Sequence, residues 1–343
     1  MVGETRTLQA MVDVDHQEML RAIELAAGVR SSTSPNPWVG CVLRTVDGQR
    51  FEGATQPPGG AHAEAVALAR AQAAGADTAG ATVFVSLEPC SHHGRTPPCA
   101  DALVKARVAR VVVGVEDPDP QVSGQGLAIL RDAGIEVDVG LAGHLVLEQL
   151  TPYFTHRRTG RPYVVLKLAA SLDGRTAAPD GTSRWITGPD ARADAHRLRA
   201  ESDAVLVGAG TVRADNPELT VRHVDGPDPL RVVLGEAPPA AKVHPCLELS
   251  GELGDILDNL GGQGILQLLV EGGATVAGAF HRAGLVDRYV IYLAPVLFGG
   301  DDAAGLFAGP GAATMAEVWR GRLAATVPLG DDLRIDLLPK ERR

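Results

Sequence analysis

Four residues in the first third of the chain have the types needed to activate a water molecule on a metal ion. They are His62 and Glu64, in the run His62-Ala63-Glu64, and Cys90 and Cys99, which bracket the segment CSHHGRTPPC. A neutral imidazole and two thiolates suit a borderline-soft ion such as Zn²⁺. Three protein ligands leave the fourth position to water, whose pKa falls to about 7 on zinc. The resulting hydroxide can attack an amino-substituted ring carbon. Protons must then reach a ring nitrogen and the leaving ammonia, and Glu64 lies close enough to His62 in the chain to move them. H-x-E followed by P-C-x-x-C is the general signature of zinc deaminases. Here the two cysteines stand nine positions apart, so the spacing is not the common one. The competing reading is a structural zinc, for which His92 or His93 could supply a fourth ligand.

The flanking sequence supplies elements that would bring these residues together. Residues 62–73 lack Pro and Gly and are rich in Ala, which predicts a helix with His62 and Glu64 in its first turn. Residues 82–87 predict a buried strand ending at Glu88-Pro89, just before Cys90. Pro97 and Pro98 open a second helix near Cys99, whose N-terminus favours a thiolate. A helix over 15–28 stopped by Gly28, a hairpin of 38–44 and 49–53 around Asp47-Gly48, strands 110–115 and 135–139, and a helix 124–133 complete an α/β layered unit. Asn36, in the turn Ser34-Pro35-Asn36-Pro37, could hydrogen-bond a substrate ring or could simply be a good turn residue.

At 343 residues with 45% hydrophobic content, two domains are expected. A formal net charge of −10 argues against a nucleic-acid partner. No apolar stretch is long enough to cross a membrane, and the N-terminal segment lacks the apolar core of a signal peptide. Four cysteines, two of them committed to metal, fit a reducing cytoplasm. Cys41 reads as core, and Cys246 takes no role.

Residues 147–161, ending in Thr155-His156-Arg157-Arg158-Thr159-Gly160-Arg161-Pro162, read as a polar, basic linker between a first domain at 13–146 and a second at 162–343. The second domain repeats an α/β pattern. Strands are expected at 163–169, 203–208, 230–234, 265–270 and 288–293, with a last one in DLRIDLL, and helices at 190–200 and about 275–283. The strand-Gly-Gly-helix junction at 271–276 could receive a phosphate or could be only a tight turn. No G-x-G-x-x-G opens a βαβ unit, which disfavours a Rossmann domain.

PCSHHGRTPPC, with TSPNPWVGCV upstream, resembles the deaminase half of the RibD family of bacterial riboflavin-biosynthesis enzymes. KLAASLDGRTA, SRWITG, VGAGTVRADNPELTVR and LLVEGGATVAGAF resemble its reductase half. The resemblance covers nearly the whole chain after about residue 14, except residues 236–264, which look compressed and are expected to be variable surface. It implies a cytidine-deaminase-like three-layer domain and a dihydrofolate-reductase-like domain. It also implies zinc-dependent deamination of 2,5-diamino-6-(5-phosphoribosylamino)pyrimidin-4-one, then NADPH-dependent reduction of the ribosyl group to ribityl. Zinc would sit on His62, Cys90 and Cys99, with Glu64 catalytic. Asn36, His92 and Arg95 match positions that meet the substrate in the first half, as do Ser183, Arg199, Leu219, Arg222 and Glu271 in the second. Ala169, Trp185, Thr211 and Asp215 match the NADPH site, and Gly273, Ala274, Thr275, Val276, Ala277, Gly278 and Ala279 the turn and helix at its phosphates. Arg199 and Arg222 suit a ribose phosphate, which a guanidinium fork binds through two oxygens.

One departure stands out. Thr55 or Gln56 falls where the family often has a histidine before His62, so a substrate contact is in question. The same family with one active half is therefore an alternative. A nucleic-acid-editing deaminase and a non-catalytic zinc protein are the rival classes. Family reductase domains pair, so a homo-oligomer acting on a small phosphorylated pyrimidine is expected.

Overall fold

The computed structural model describes residues 2–91, 97–119 and 122–340. The chain divides into two units, Met1–Thr159 and Gly160–Arg343. In chain order the first contains α1 (Val2–Ala27), β1 (Gly40–Arg44), β2 (Arg50–Ala54), α2 (Ala63–Ala73), β3 (Thr82–Leu87), α3 (Cys99–Lys105), β4 (Arg110–Val115), α4 (Gln125–Asp132), β5 (Glu136–Val139), α5 (Gly143–Gln149) and α6 (Thr151–Thr159).

Its sheet has the order β2-β1-β3-β4-β5. The β1 strand is antiparallel to both neighbours, while β3, β4 and β5 run parallel. Strand side chains alternate between faces. Val42, Phe84 and Val112 pack on Met19 and Ala22 of α1. The opposite face receives α2, and there the sheet comes so near the helix that Gly53 has no room for a side chain: a Cβ would lie 2.0 Å from the Ala63 carbonyl oxygen. Cys41, paired in register with Gly53, is buried, as expected of a core residue.

Two expectations change here. The first helix begins at Val2 instead of 15, continuing through good helix formers such as Leu8, Gln9 and Ala10. The stretch 147–161 is not a linker: it holds the end of α5 and all of α6, and the first unit extends through Thr159. Its basic residues His156, Arg157 and Arg158 form the last turn of α6, where cations complement the helix dipole. Tyr153 and Phe154 are buried, with the guanidiniums of Arg157 and Arg158 over their rings at 4.9 and 5.2 Å.

The second unit contains β6 (Tyr163–Ser171), β7 (Arg175–Ala177), α7 (Pro189–Ala200), β8 (Ala204–Gly208), α8 (Ala209–Asp215), β9 (Leu230–Leu234), β10 (Leu247–Leu249), α9 (Leu253–Gly262), β11 (Gln267–Val270), α10 (Ala274–Arg282), β12 (Arg288–Ala294), β13 (Ala304–Gly305), β14 (Gly321–Leu329) and β15 (Asp332–Pro339). The main sheet runs β10-β9-β8-β11-β6-β12-β15-β14, parallel from β10 to β12 and closed by the antiparallel β15 and β14. Parallel strands are covered on both faces and so read as continuous apolar runs. Here α7 and α8 cover one face and α9 and α10 the other.

Residues 236–264 are more than variable surface. They include the edge strand β10 and the helix α9, whose Ile256, Leu257 and Leu260 enter the core. Helix α7 is fastened through a buried polar cluster. Tyr292 Oη and Arg334 Nη1 both donate to Asp194 Oδ2 at 2.7 Å, and Arg334 also pairs with Asp336.

The close approach at Gly53 sets the height of α2, and with it His62 and Glu64. Gly53→Ala should lower stability by about 1–3 kcal/mol, the usual cost of overpacking. Thermal unfolding checks this, and the zinc content of the purified variant should fall with it.

Candidate functional site

His62 is the N-cap residue of α2, Cys90 follows β3, and Cys99 opens α3 behind the cap residue Pro98. These three elements bring their side chains to one point. His62 Nδ1 lies 3.5 Å from Cys90 Sγ and 3.5 Å from Cys99 Sγ. A tetrahedral ion with Zn–N about 2.0 Å and Zn–S about 2.3 Å sets N···S edges near ~3.5 Å, so the donor set fits zinc in type and spacing. Cys90 and Cys99 hold one proton between them. The Cys90 thiol is pushed down to about 4, chiefly by a hydrogen bond from Cys99, and the Cys99 thiol is pushed up, chiefly by the same bond. A bound cation takes that proton's place. Glu64 is 3% exposed, and burial pushes its carboxyl up to about 7. A carboxyl near neutrality can both take and return a proton.

A cavity of about 210 Å³ opens on this centre, lined by Asn36, Thr55, His62, Glu64, Cys90 and, from later segments, Asp117, Asp119, Tyr153 and Arg157. Asn36 therefore lies with His62, Glu64 and Cys90. His92 and Arg95 fall outside the described residues. Of the two residues at the departure, Thr55 lines the cavity, accepting from Val39 N at 3.1 Å, while Gln56 is exposed.

The framework beneath the cavity rests on Glu88, directly after β3. Its Oε2 accepts from the backbone N–H of Asp117 and Gly124, at 3.1 and 3.0 Å. Its Oε1 accepts from Gly126 at 3.0 Å and Leu127 at 3.4 Å. Asp117 is 6% exposed, and burial pushes its carboxyl up to about 6. The Tyr153 hydroxyl lies 3.2 Å from Asp117 Oδ1. Sequence reading missed Glu88, Asp117, Tyr153 and Arg157 as site residues. The only signal was position: Glu88 adjoins Pro89-Cys90, and Arg157 lay in the stretch taken for a linker.

The second unit has a larger cavity, about 660 Å³, at the carboxyl ends of β6, β8 and β11. Eleven of the sequence-predicted positions line it: Ala169, Ser183, Trp185, Arg199, Thr211, Asp215, Leu219, Arg222, Glu271, Gly273 and Ala274. Leu219 is buried there at φ 56°, a left-handed conformation that bulky residues seldom adopt. The predicted run beyond Ala274 does not continue along the wall. Thr275 is exposed at the helix start, whereas Ala277 and Gly278 are buried, with no room beyond Gly278 because Ala308 O would lie 2.2 Å from a Cβ. Val276 packs on Gly272 and Ala279 is half-buried.

Arg199 is also not free to clamp a phosphate. Its Nε and Nη2 donate to the two oxygens of Glu271 at 2.6 and 2.9 Å. Burial would raise the Glu271 carboxyl, but Arg199 and then Lys167 hold it at about 2. Lys167, on β6, is 4.0 Å from Glu271 Oε2 and 5.8 Å from the Tyr292 ring, and burial lowers its ammonium below the ordinary range. His196 also lines this cavity. Burial and the Arg199 charge push its imidazole down to about 4, and its Nδ1 accepts from Arg222 N at 3.0 Å, so it is neutral. Neither Lys167 nor His196 was singled out from sequence.

The family described as the cytidine and deoxycytidylate deaminase zinc-binding region matches residues 13–115, and the RibD C-terminal domain matches residues 162–334. The riboflavin biosynthesis protein RibD of Escherichia coli (strain K12) is 42% identical, over 94% of this chain and 99% of that protein. RibD of Mycobacterium tuberculosis (strain ATCC 25618 / H37Rv) is 42% identical over 93% and 96%. Acinetobacter baumannii RibD superposes with a TM-score of 0.89 at 41% identity, covering 96% of this chain and 100% of that one. The diaminohydroxyphosphoribosylaminopyrimidine deaminase/5-amino-6-(5-phosphoribosylamino)uracil reductase of Thermotoga maritima does so with a TM-score of 0.90 at 32% identity and the same coverage.

Asp117 yields a pH-dependent expectation. Its folded pKa, about 6, lies above the ordinary 3.8, so its charged form lowers stability fully above pH 6 and not at all well below pH 3.8. Asp117→Asn should therefore stabilise the fold at pH 7 by on the order of 2 kcal/mol. Denaturant midpoints at pH 7 and pH 3.5 should show that gain at the first and not at the second.

Proposed function

The chain belongs to the RibD family, and we propose how its own residues carry out the two reactions of that family. The enzyme is bifunctional. Its zinc-dependent half hydrolytically deaminates 2,5-diamino-6-(5-phosphoribosylamino)pyrimidin-4-one, and its NADPH-dependent half reduces the ribosyl side chain of 5-amino-6-(5-phosphoribosylamino)uracil to ribityl.

In the first half, His62, Cys90 and Cys99 would hold the zinc. When bound, zinc would lower the pKa of a water there and make it nucleophilic near neutral pH. Glu64 takes the water proton and returns protons to the ring nitrogen and the departing ammonia. Asn36 reads the ring by donating and accepting, while His92 and Arg95 meet the pyrimidine and its ribose phosphate. Thr55 or Gln56 stands where relatives of this pattern often carry histidine, and the Thr55 hydroxyl is engaged by the Val39 backbone. The observation that carries the reading is that the three metal donors converge at one point and that two of them, His62 and Cys90, share a cavity with Glu64.

In the second half, bound NADPH would supply hydride to C1′ of the ribosyl group. As that carbon gains hydride, its bond to the ring oxygen breaks and the electron pair stays on oxygen. Lys167 is the proton donor to that oxygen, because it is a buried ammonium of lowered pKa facing the cavity. Glu271, kept ionised by Arg199, orients Lys167 and accepts from a ribose hydroxyl. Arg222, half-exposed, takes the substrate phosphate. Ala169, Trp185, Thr211 and Asp215 would receive the nicotinamide dinucleotide, and the first-turn N–H groups of α10 at Gly273, Ala274 and Thr275 would suit its phosphates. Ser183 and Leu219 complete the substrate wall.

No described helix is long and apolar enough to cross a membrane. Zinc thiolates suit a reducing cytoplasm, where we place the enzyme. A second copy of the chain covers the edge strand β14, which exposes Leu323 and Val327. An uncovered apolar edge strand otherwise invites open-ended pairing.

Two measurements test these assignments. With the diaminopyrimidine as substrate, NADPH oxidation should follow ammonia release. Glu64→Gln should abolish both while keeping its zinc, and added deaminated intermediate should restore NADPH oxidation. Lys167→Met should release ammonia at the normal rate but lose at least about 100-fold in NADPH oxidation, the usual weight of general acid catalysis. NADPH oxidation by Glu64→Gln from the unreacted substrate would refute the order of steps. By light scattering, Leu323→Glu combined with Val327→Glu should convert an oligomer to monomer, and an unchanged mass would remove β14 from the interface.

A further inference from the structure

His244, Cys246 and Glu248 form a cluster that neither reaction uses. His244 and Cys246 lie in the turn that leads into β10, the outermost parallel strand of the second unit, and Glu248 lies on it, with their ligating atoms within 4.8 Å of one another. Cys246 and Glu248, two apart at the entry to the strand, project to one face, and the turn closed by His244 N on the Ala241 carbonyl brings the imidazole to them. The intervening Leu247 packs on the opposite face, in the core beneath α9.

The hydrogen bonds around the cluster leave its donors ready for a cation. His244 Nε2 lies 3.0 Å from the Pro238 carbonyl oxygen. A carbonyl only accepts, so Nε2 carries the proton and Nδ1 holds a bare lone pair. That lone pair faces Cys246 Sγ at 3.4 Å. Glu248 Oε1 accepts from Ala237 N at 2.9 Å, which fixes the carboxylate plane. Metal-binding histidines commonly donate their second nitrogen to a backbone carbonyl, and ligating carboxylates are themselves hydrogen-bonded. Both supports are present, and both come from the same short loop, 237–238.

We propose that His244, Cys246 and Glu248 form a second metal site, selective for a borderline ion such as Zn²⁺ or Co²⁺, that clips β10 to the 237–244 loop. One imidazole, one thiolate and one carboxylate exclude Mg²⁺ and Ca²⁺, which take oxygen donors. Binding exchanges the thiol proton for the ion: the Cys246 S–H bond is broken, the proton leaves to solvent, and Sγ becomes a ligand. One thiolate and one carboxylate balance the dication. Arg231 donates to the His244 carbonyl at 3.4 Å and places a positive charge nearby, so this site binds more weakly than the catalytic one.

The test is a Co²⁺ titration of the metal-stripped full-length enzyme, followed by optical absorption, with zinc counted after dialysis in parallel. Two equivalents of Co²⁺ should bind, the second more weakly and with its own thiolate-to-cobalt charge-transfer band. Cys246→Ser should remove the second phase alone and leave ammonia release and NADPH oxidation unchanged. His244→Ala should do the same, which guards against a folding defect in the first variant. Conversely, Cys90→Ser should lose the first phase and keep the second. Saturation of the wild type at one equivalent would overturn the proposal, as would two equivalents persisting in both the Cys246 and His244 variants.

Discussion

A carboxylate removed from water must be met by donors or cations, and in both halves of this enzyme the residue directly after a buried parallel strand is such a glutamate. Glu88 follows β3 and Glu271 follows β11. Glu88 gathers four backbone N–H groups, which ties the loop after β4 and the start of α4 to the strand that delivers Cys90. Glu271 is met instead by Arg199 from α7 and Lys167 from β6. The first arrangement builds a rigid floor with neutral donors. The second concentrates charge where charge has to move. Both sites therefore lie at strand carboxyl ends, where α/β sheets generally hold their ligands.

The metal centre was legible in the sequence because zinc chemistry restricts residue type severely. His62, Cys90 and Cys99 stand in one H-x-E and cysteine pattern, and strand and helix periodicity placed them at element ends. Periodicity gave the α/β class and the family resemblance the finer architecture, which matches that of the solved RibD structures in both halves. What escaped depends on distant partners. Lys167 reads as an interruption in an apolar strand until Glu271, about a hundred residues later, is seen beside it. Arg199 looked free to bind phosphate because nothing local shows that Glu271 already fills its fork. The α6 helix was taken for a boundary because basic residues in a last helical turn have the same composition as a solvated linker.

Stability and function pull apart at several of these positions. Asp117 is buried against its own charge beside the deaminase cavity, and Lys167 is buried against its own in the reductase cavity. Such groups persist at functional sites because their altered proton affinity is useful there. The cost is offset by cores on both faces of the larger sheet and by the polar cluster of Asp194, Tyr292, Arg334 and Asp336 that anchors α7.

Helix α6 decides where the chain can be cut into working halves. A deaminase fragment ended at 146, where composition alone suggests a border, would lose Tyr153 and Arg157 from its cavity wall and leave the Asp117 carboxyl without its phenol partner. Retaining the chain through Thr159 keeps that wall whole. Gly160, at φ 71°, then marks a backbone reversal where a protease site or a flexible tether could be introduced between the two catalysts.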